Sequence, residues 1–158
     1  MFNLFVLKMN TRVYNLLLAD DDEDDCDFFK EALDELSIPF SLDTVSDGVQ
    51  LMDFLSEKSE DNLPDILFLD LNMPRKNGTE CLTEIKENEK LNQLFVIIFS
   101  TSLDVNIVDT MYEKGAIYYI RKPGDYVELK KVIRNAISLI PDNNNLKQPE
   151  RKQFILES

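Results

Sequence analysis

The chain has 158 residues, and 44% of them are apolar, which is enough to build the core of one domain. It carries 30 acidic and 17 basic residues, a formal net charge of −13, which argues against binding to nucleic acid. The lack of histidine excludes His-based hydrolases, His-ligated metals and a histidine phosphocarrier, and no apolar run approaches the roughly 18 residues of a membrane helix.

Residues 1–12 are predicted to form an N-terminal extension. Met1 to Lys8 includes a short apolar stretch, but it lacks a basic start and a cleavage site, so we do not expect a signal peptide. Met9 is a second candidate for the native start, and the choice between Met1 and Met9 stays open. Cys26 and Cys81 lie far apart without metal-binding spacing and are expected to be reduced thiols of a cytoplasmic protein.

Short apolar runs alternate with amphipathic stretches along residues 13–140. The runs predict strands, and the helical spacing of apolar residues between them predicts a helix after each strand. The strands are expected at 16–19, 40–45, 66–69, 95–99 and 118–120, and the helices at 28–36, 49–55, 81–85, 107–112 and 129–140. Five such units predict an α/β domain, a doubly wound five-stranded parallel sheet of order 2-1-3-4-5 with a flavodoxin-like fold.

The composition changes at Pro141, and residues 141–158 are predicted to be a linker and tail. This segment is too short for a second domain. It ends in the apolar residues Phe154, Ile155 and Leu156. We expect these residues to dock on the surface of the fourth and fifth helices or on another subunit.

Polar side chains are predicted to gather where the strands end, which is the edge at which open α/β sheets bind ligands. Strand 1 ends in three acids and strand 3 in one, whereas strands 4 and 5 are followed by a hydroxyl and an ammonium group. These residues are Asp20, Asp21, Asp22, Asp70, Ser100 and Lys122.

This combination favours phosphoryl chemistry on a metal-bound carboxylate. Two carboxylates about 4 Å apart repel by roughly 4 kcal/mol at an effective dielectric constant near 20, so three of them require a cation. Oxygen ligands without His or Cys select Mg²⁺ or Mn²⁺. A carboxylate beside Mg²⁺ and Lys122 can attack a phosphoryl group, and Lys122 and Ser100 can hold its oxygens. The acids at 23–25 and 27 are attributed instead to the dipole of the first helix.

Four segments resemble the response-regulator receiver domain of bacterial two-component signalling: LLLADDDEDD (16–25), DILFLDLNMPRKNG (65–78), FVIIFSTS (95–102) and KGAIYYIRKPGDYVEL (114–129). The resemblance covers about residues 13 to 140. The RKNG sequence and the length of the chain are also similar to the small receivers that partner phytochromes.

The resemblance implies a role for each residue near the phosphoacceptor. Asp70 would accept the phosphoryl group, Asp21 would bind Mg²⁺ directly and Asp20 would bind it through water. The backbone carbonyl of Asn72 would be another metal ligand. Asp22 adds a third acid beside the pair and is expected to alter the affinity for the metal.

The resemblance also implies a switch. Lys122 would bind a phosphoryl oxygen, and its bond to Pro123 is expected to be cis. Ser100 would be the switch hydroxyl, and Tyr119 the aromatic residue that turns inward when Ser100 moves to the phosphoryl group.

The implied function is a phosphorylation switch rather than a turnover enzyme. A histidine kinase or phosphotransfer protein would phosphorylate Asp70, and output would pass by protein–protein contact to an unknown downstream protein, without nucleic acid or membrane. Whether the protein forms a homodimer is a question that the sequence leaves open. Two alternatives also stay open: an interaction module that is never phosphorylated, and a haloacid-dehalogenase-type phosphatase that uses Asp20 and leaves Asp70 without a role.

Overall fold

The computed structural model describes residues 12–142 and 146–157. Most of the predicted N-terminal extension, the choice between Met1 and Met9 and the central residues of the predicted linker therefore lie outside the described residues. In the described ranges, no helix is both long and apolar enough to cross a bilayer.

Five strands alternate with five helices in the order that the hydrophobic pattern predicts. The strands are β1 (Tyr14–Ala19), β2 (Phe40–Val45), β3 (Ile66–Leu69), β4 (Val96–Ser100) and β5 (Tyr118–Arg121). The helices are α1 (Glu23–Asp34), α2 (Gly48–Glu57), α3 (Gly78–Glu87), α4 (Val105–Glu113) and α5 (Tyr126–Ser138). The strands form one parallel sheet of order β2-β1-β3-β4-β5, which confirms the predicted fold.

The sheet is covered on both faces because alternate residues of each strand point to opposite sides. Leu17 and Leu67 pack on one face with apolar side chains of α2, α3 and α4. Leu18 and Phe68 pack on the other face with α1 and α5. Central strands β1, β3 and β4 are thus apolar at nearly every position, and their polar residues stand only at the ends.

A carboxylate or amide side chain caps the N-terminus of all five helices. Each cap accepts hydrogen bonds from backbone N–H groups of the first turn, which have no partner within the helix. The capping residues are Asp22, Asp47, Asn77, Asp104 and Asp125. Because the helices run antiparallel to the strands, these caps lie at the edge where the strands end.

The tail docks on β5 of its own chain. The N–H of Tyr119 donates to the carbonyl of Phe154 at 3.0 Å, and the N–H of Leu156 donates to the carbonyl of Tyr119 at 2.9 Å. Ile155 thereby pairs with Tyr119 in parallel, as a short sixth strand would. The Phe154 side chain is fully buried, with its ring centroid 5.1 Å from that of Tyr112 and 6.1 Å from that of Tyr119.

Polar contacts also hold the tail against α4. The Gln148 side-chain amide donates to the carbonyls of Tyr112 and Ala116 at 2.7 and 2.8 Å, and Arg151 pairs with Asp109 at 2.7 Å. The expectation that the tail docks near the fourth and fifth helices therefore holds within one chain.

We expect Phe154→Ala to release the tail without unfolding the sheet. Removing a buried Phe side chain costs about 3–5 kcal/mol in a core, but a terminal segment can detach at a lower cost than global unfolding. Hydrogen exchange should then show that protection of the N–H groups of Tyr119 and Leu156 falls by roughly 10²-fold. Gln153→Ala, which changes an exposed residue of the same segment, is the control. Unchanged protection in Phe154→Ala would show that the backbone bonds alone retain the tail.

Candidate functional site

Three carboxylates meet at the edge of the sheet where the strands end. One oxygen from each of Asp20, Asp21 and Asp70 lies within 4.8 Å of the others. Asp20 and Asp70 are buried, and Asp21 is exposed. The predicted site residues of strands 1 and 3 are thus brought together.

Backbone pairing between neighbouring strands fixes where these acids stand. Asp20 directly follows β1, and its N–H donates to the carbonyl of Val45 at 3.0 Å. Asp70 directly follows β3, and its N–H donates to the carbonyl of Ala19 at 2.9 Å. The two buried carboxylates therefore leave adjacent strands at the same level of the sheet.

The donor set fits a divalent metal ion. Asp20 Oδ2 is the one buried side-chain oxygen or nitrogen in ranges 12–142 and 146–157 that makes no hydrogen bond. Lys122 faces this oxygen at 2.8 Å but without hydrogen-bond geometry. Asp20 and the neighbouring carboxylates of Asp21 and Asp70 offer oxygen atoms, which are hard ligands and suit a hard cation. Asp20, Asp21 and Asp70 would hold such an ion.

Lys122 reaches the same cluster from the residue that follows β5. Its ammonium nitrogen lies 2.8 Å from Asp20 Oδ2, 2.9 Å from Asp25 Oδ2 and 3.7 Å from Asp70 Oδ2. Burial lowers the pKa of Lys122, but the three carboxylates outweigh burial and raise the pKa above its ordinary value. The side chain therefore supplies a permanent positive charge beside Asp70.

The carboxyl group of Asp70 has a raised pKa. Burial raises the pKa of Asp70 to about 6, and the charge of Asp20 adds to this effect. Lys122 and a hydrogen bond from the N–H of Asn72, 3.3 Å long, act in the opposite direction. The ionised carboxylate is therefore held at a cost in free energy, which a bound cation would lower.

Ser100 and Tyr119 lie on adjacent strands beside this cluster. Ser100 is fully buried at the end of β4, and its carbonyl accepts from the N–H of Lys122 at 2.8 Å. The Tyr119 side chain is buried, and its hydroxyl donates to the carbonyl of Ser102 at 2.6 Å. Tyr119 therefore already points inward and contacts the loop that follows Ser100.

Three expectations from the sequence need correction. Asp22 does not join the carboxylate cluster; it caps α1, where its side chain accepts from the N–H groups of Asp24 and Asp25. Asp25 is more than an acid at a helix terminus, because it bonds to Lys122. The Lys122–Pro123 bond is trans, since the described residues contain no cis peptide bond; trans is the lower-energy form of most X-Pro bonds.

The contact between Asp25 and Lys122 joins residues 97 positions apart, and the sequence signal for it is weak. Asp25 stands among seven acids in residues 20–27, and helix dipoles attract such acids in many proteins. Asp25 lies in the first turn of α1, but only the packing of α1 near the end of β5 identifies its partner.

We expect Asp70→Asn to stabilise the metal-free protein at neutral pH. An acid with a raised pKa keeps its proton in the folded state at a pH where the unfolded chain has lost it. Its ionisation therefore destabilises the fold as the pH rises through about 6. A shift of about two units, which already includes the opposing attraction to Lys122, makes this gain at most roughly 3 kcal/mol.

Urea unfolding with a chelator tests this expectation. The free energy of unfolding of Asp70→Asn should exceed that of the wild type at about pH 7.5, and the difference should vanish near about pH 4. Asp43→Asn removes an exposed acid of β2 and controls for net charge. A variant less stable than the wild type at neutral pH would contradict the stated origin of the shift.

Sequence comparison places these residues in a known family. A family model described as the response regulator receiver domain matches residues 16–134. The response regulator Rcp1 of Synechocystis is 32% identical over 122 residues, which cover 75% of this chain and 83% of Rcp1. A probable methanogenesis regulatory protein of Methanothrix harundinacea, FilR2, is 27% identical over 120 residues, or 75% of this chain and 77% of FilR2.

Solved structures show the same fold with similar coverage. The Mn²⁺-bound form of Rcp1 superposes with a TM-score of 0.71 at 30% identity and covers 86% of this chain and 99% of the solved one. The phosphorylated cyanobacterial phytochrome response regulator RcpA superposes with a TM-score of 0.74 at 28% identity, and the match covers 88% of this chain and 100% of the solved one.

Proposed function

The chain belongs to the response-regulator receiver family, and on that premise we propose that Asp70 accepts a phosphoryl group from a histidine kinase or a phosphotransfer protein. The observation that carries the proposal is the convergence of Asp20, Asp21 and Lys122 on the buried Asp70 carboxylate. The receiver domain would comprise residues 13–140, with residues 141–158 as its linker and tail.

The transfer step is a displacement at phosphorus. A carboxylate oxygen of Asp70 forms a bond to phosphorus while the bond from phosphorus to the donor breaks. The donor leaves with the bonding electron pair, as imidazole from a phosphohistidine or as acetate from acetyl phosphate. The product is an acyl phosphate on Asp70, and the protein carries the group rather than turning over a substrate.

Mg²⁺ is the metal that we propose for the carboxylate cluster. It would be held by Asp20, Asp21, Asp70 and the backbone carbonyl of Asn72. When bound, it supplies charge that offsets the negative phosphoryl oxygens. The Mn²⁺ in the structure of Rcp1 is an ion of the same charge with similar ligand preferences.

Lys122 and Ser100 are proposed to stabilise the phosphorylated state. The Lys122 ammonium, 3.7 Å from Asp70, needs only a small movement to contact a phosphoryl oxygen. Ser100 would donate its hydroxyl to another oxygen. The hydrogen bond of Tyr119 to Ser102 ties this movement to β5, which makes Tyr119 the proposed switch aromatic.

Output is proposed to pass through protein contact at α4, β5 and α5. A downstream protein, or a second copy of this chain, would there meet a surface that includes the docked tail. We propose that the protein acts in the cytoplasm, where kinase domains find their ATP and where Cys26 and Cys81, which form no disulfide, would stay reduced.

Mass spectrometry after incubation with acetyl phosphate tests the proposal. We expect one phosphoryl group per chain with Mg²⁺ and none with a chelator. Borohydride reduces an aspartyl phosphate to a stable product, and trypsin then separates residues 13–30, which hold Asp20, from residues 59–75, which hold Asp70.

Each outcome has a distinct meaning. A reduced residue in 59–75 supports the receiver mechanism, whereas one in 13–30 would favour a nucleophile at Asp20 and overturn it. If no adduct forms, binding of Mg²⁺ and beryllofluoride decides. Binding would point to a protein that accepts phosphate from its kinase alone, and its absence would leave the unphosphorylated interaction module.

A further inference from the structure

The ammonium of Lys122 is shared unequally among its three carboxylates. It donates a hydrogen bond to Asp25 at 2.9 Å and lies 2.8 Å from Asp20, whereas Asp70 is 3.7 Å away. That last distance is beyond hydrogen-bond range. The Lys122 ammonium, which would stabilise a phosphoryl group on Asp70, is thus bound most closely to Asp20 and Asp25.

Among the described residues, the Asp25 carboxylate forms a hydrogen bond and an ion pair with Lys122 alone. It lies in the first turn of α1, but the cap of that helix is Asp22, whose side chain accepts from the N–H of Asp25 at 3.2 Å. The three-carboxylate cluster that fits a metal does not include it. The cap fixes the backbone of Asp25 and leaves its carboxylate, about 39% exposed, directed at Lys122.

We propose that Asp25 is a positioning residue that holds Lys122 back from Asp70 until a phosphoryl group arrives. This inference rests on the proposed function. The Lys122 ammonium has three N–H donors, and the contacts with Asp20 and Asp25 engage two of the carboxylates around it before transfer. To contact a phosphoryl oxygen on Asp70, the ammonium must leave its present position, which is 2.9 Å from Asp25 and 3.7 Å from Asp70, so the attraction to Asp25 slows phosphorylation and weakens the contact of Lys122 with the phosphorylated product.

The contact between Asp25 and Lys122 also limits how strongly the ammonium opposes a metal ion at the carboxylate cluster. If the Asp25 carboxylate is removed, the ammonium, already 2.8 Å from Asp20 Oδ2, loses its hydrogen-bond partner and pairs more closely with Asp20 and Asp70, where its positive charge opposes a bound cation. Asp25 thus favours the metal-bound state before transfer and opposes the engagement of Lys122 afterwards. Asp25→Asn should therefore speed phosphorylation but weaken Mg²⁺ binding, a combination that general damage to the fold would not produce.

The test compares Asp25→Asn with Asp24→Asn. Asp24 lies one residue earlier in the same turn, is exposed and makes no ion pair with Lys122, so its replacement controls for net charge and for attraction of the donor. At saturating Mg²⁺, we expect Asp25→Asn to be phosphorylated by acetyl phosphate about three- to fivefold faster than Asp24→Asn, the factor typical of a partly exposed ion pair. Without phosphodonor, calorimetry should show about threefold weaker Mg²⁺ binding in Asp25→Asn.

A double-mutant cycle with Lys122→Gln assigns the effects to the pair. In the Lys122→Gln background, Asp25→Asn and Asp24→Asn should behave alike in Mg²⁺ binding. If Asp25→Asn and Asp24→Asn, each with Lys122 unchanged, have equal phosphorylation rates and equal Mg²⁺ affinities, the inference is overturned while the proposed function stays intact. A slower Asp25→Asn would overturn it in the other direction, because Asp25 would then orient Lys122 rather than restrain it. A wild type that takes up no phosphoryl group in any assay fails the proposed function itself.

Discussion

The Asp70→Asn protein is expected to take up no detectable phosphoryl group from acetyl phosphate in the presence of Mg²⁺. An amide does not attack phosphorus, and Asn removes a negative charge from the carboxylate cluster while it preserves the shape of the side chain. Loss of a covalent nucleophile lowers rates by more than about 10³-fold. Intact-mass measurement over time gives the extent of labelling directly.

The expected stability of Asp70→Asn allows a loss of labelling to be attributed to the missing carboxylate. Because Asp70→Asn is expected to be more stable than the wild type near neutral pH, loss of labelling in it is not explained by unfolding. Asp43→Asn, with the same change of charge on exposed β2, should be labelled as the wild type is. Full labelling of Asp70→Asn would remove Asp70 as the acceptor and redirect attention to Asp20.

Gly78→Ala is expected to destabilise the protein by about 2–4 kcal/mol and to slow phosphorylation as well. A Cβ atom at Gly78, the first residue of α3, would lie 2.2 Å from the carbonyl oxygen of Asp70 and 2.9 Å from Cα of Leu71. Both contacts are with backbone, so no side chain can swing away. The strand end that carries the acceptor has to move, and a displacement of about 1 Å at a reacting group costs roughly 10²-fold in rate.

Gly124→Ala is the matched control. Gly124 lies two residues after Lys122, but apart from its two chain neighbours no residue has a heavy atom within 4 Å of a Cβ placed there. Its variant should unfold within about 0.5 kcal/mol of the wild type and accept the phosphoryl group at the wild-type rate. Thermal unfolding should place Gly78→Ala about 6–12 °C below both proteins. Equal melting temperatures of the two variants would show that the turn after Asp70 tolerates a methyl group.

The order of elements could be predicted because burial on both faces leaves a strong pattern in the sequence. Ile66–Leu69 is apolar at each of four positions, as a central strand of a doubly covered sheet requires. The apolar pattern predicts the edge strand β5 at 118–120, whereas the strand extends to Arg121. Its last residue is exposed, so apolar periodicity ends before the backbone pairing does.

The carboxylate cluster could be predicted because topology alone assembles it. Parallel strands that pair in register deliver the residues after β1 and β3 to one edge, so Asp20 and Asp70 had to meet. The partner of Asp25 could not be found in this way. It depends on how α1 lies against the end of β5, and neither periodicity nor strand order specifies which side chain of a helical turn reaches a lysine 97 residues later.

The docked tail has a consequence for the behaviour of the protein in solution. The outer strand of a sheet offers unpaired N–H and C=O groups on which another chain can grow, and such growth leads to aggregation. At β5, the tail takes up both backbone groups of Tyr119. The opposite outer strand, β2, is protected differently, by exposed polar residues that include Asp43. Proteolytic removal of residues 146–157 would therefore expose both backbone groups of Tyr119 and is expected to promote aggregation through the edge of the sheet.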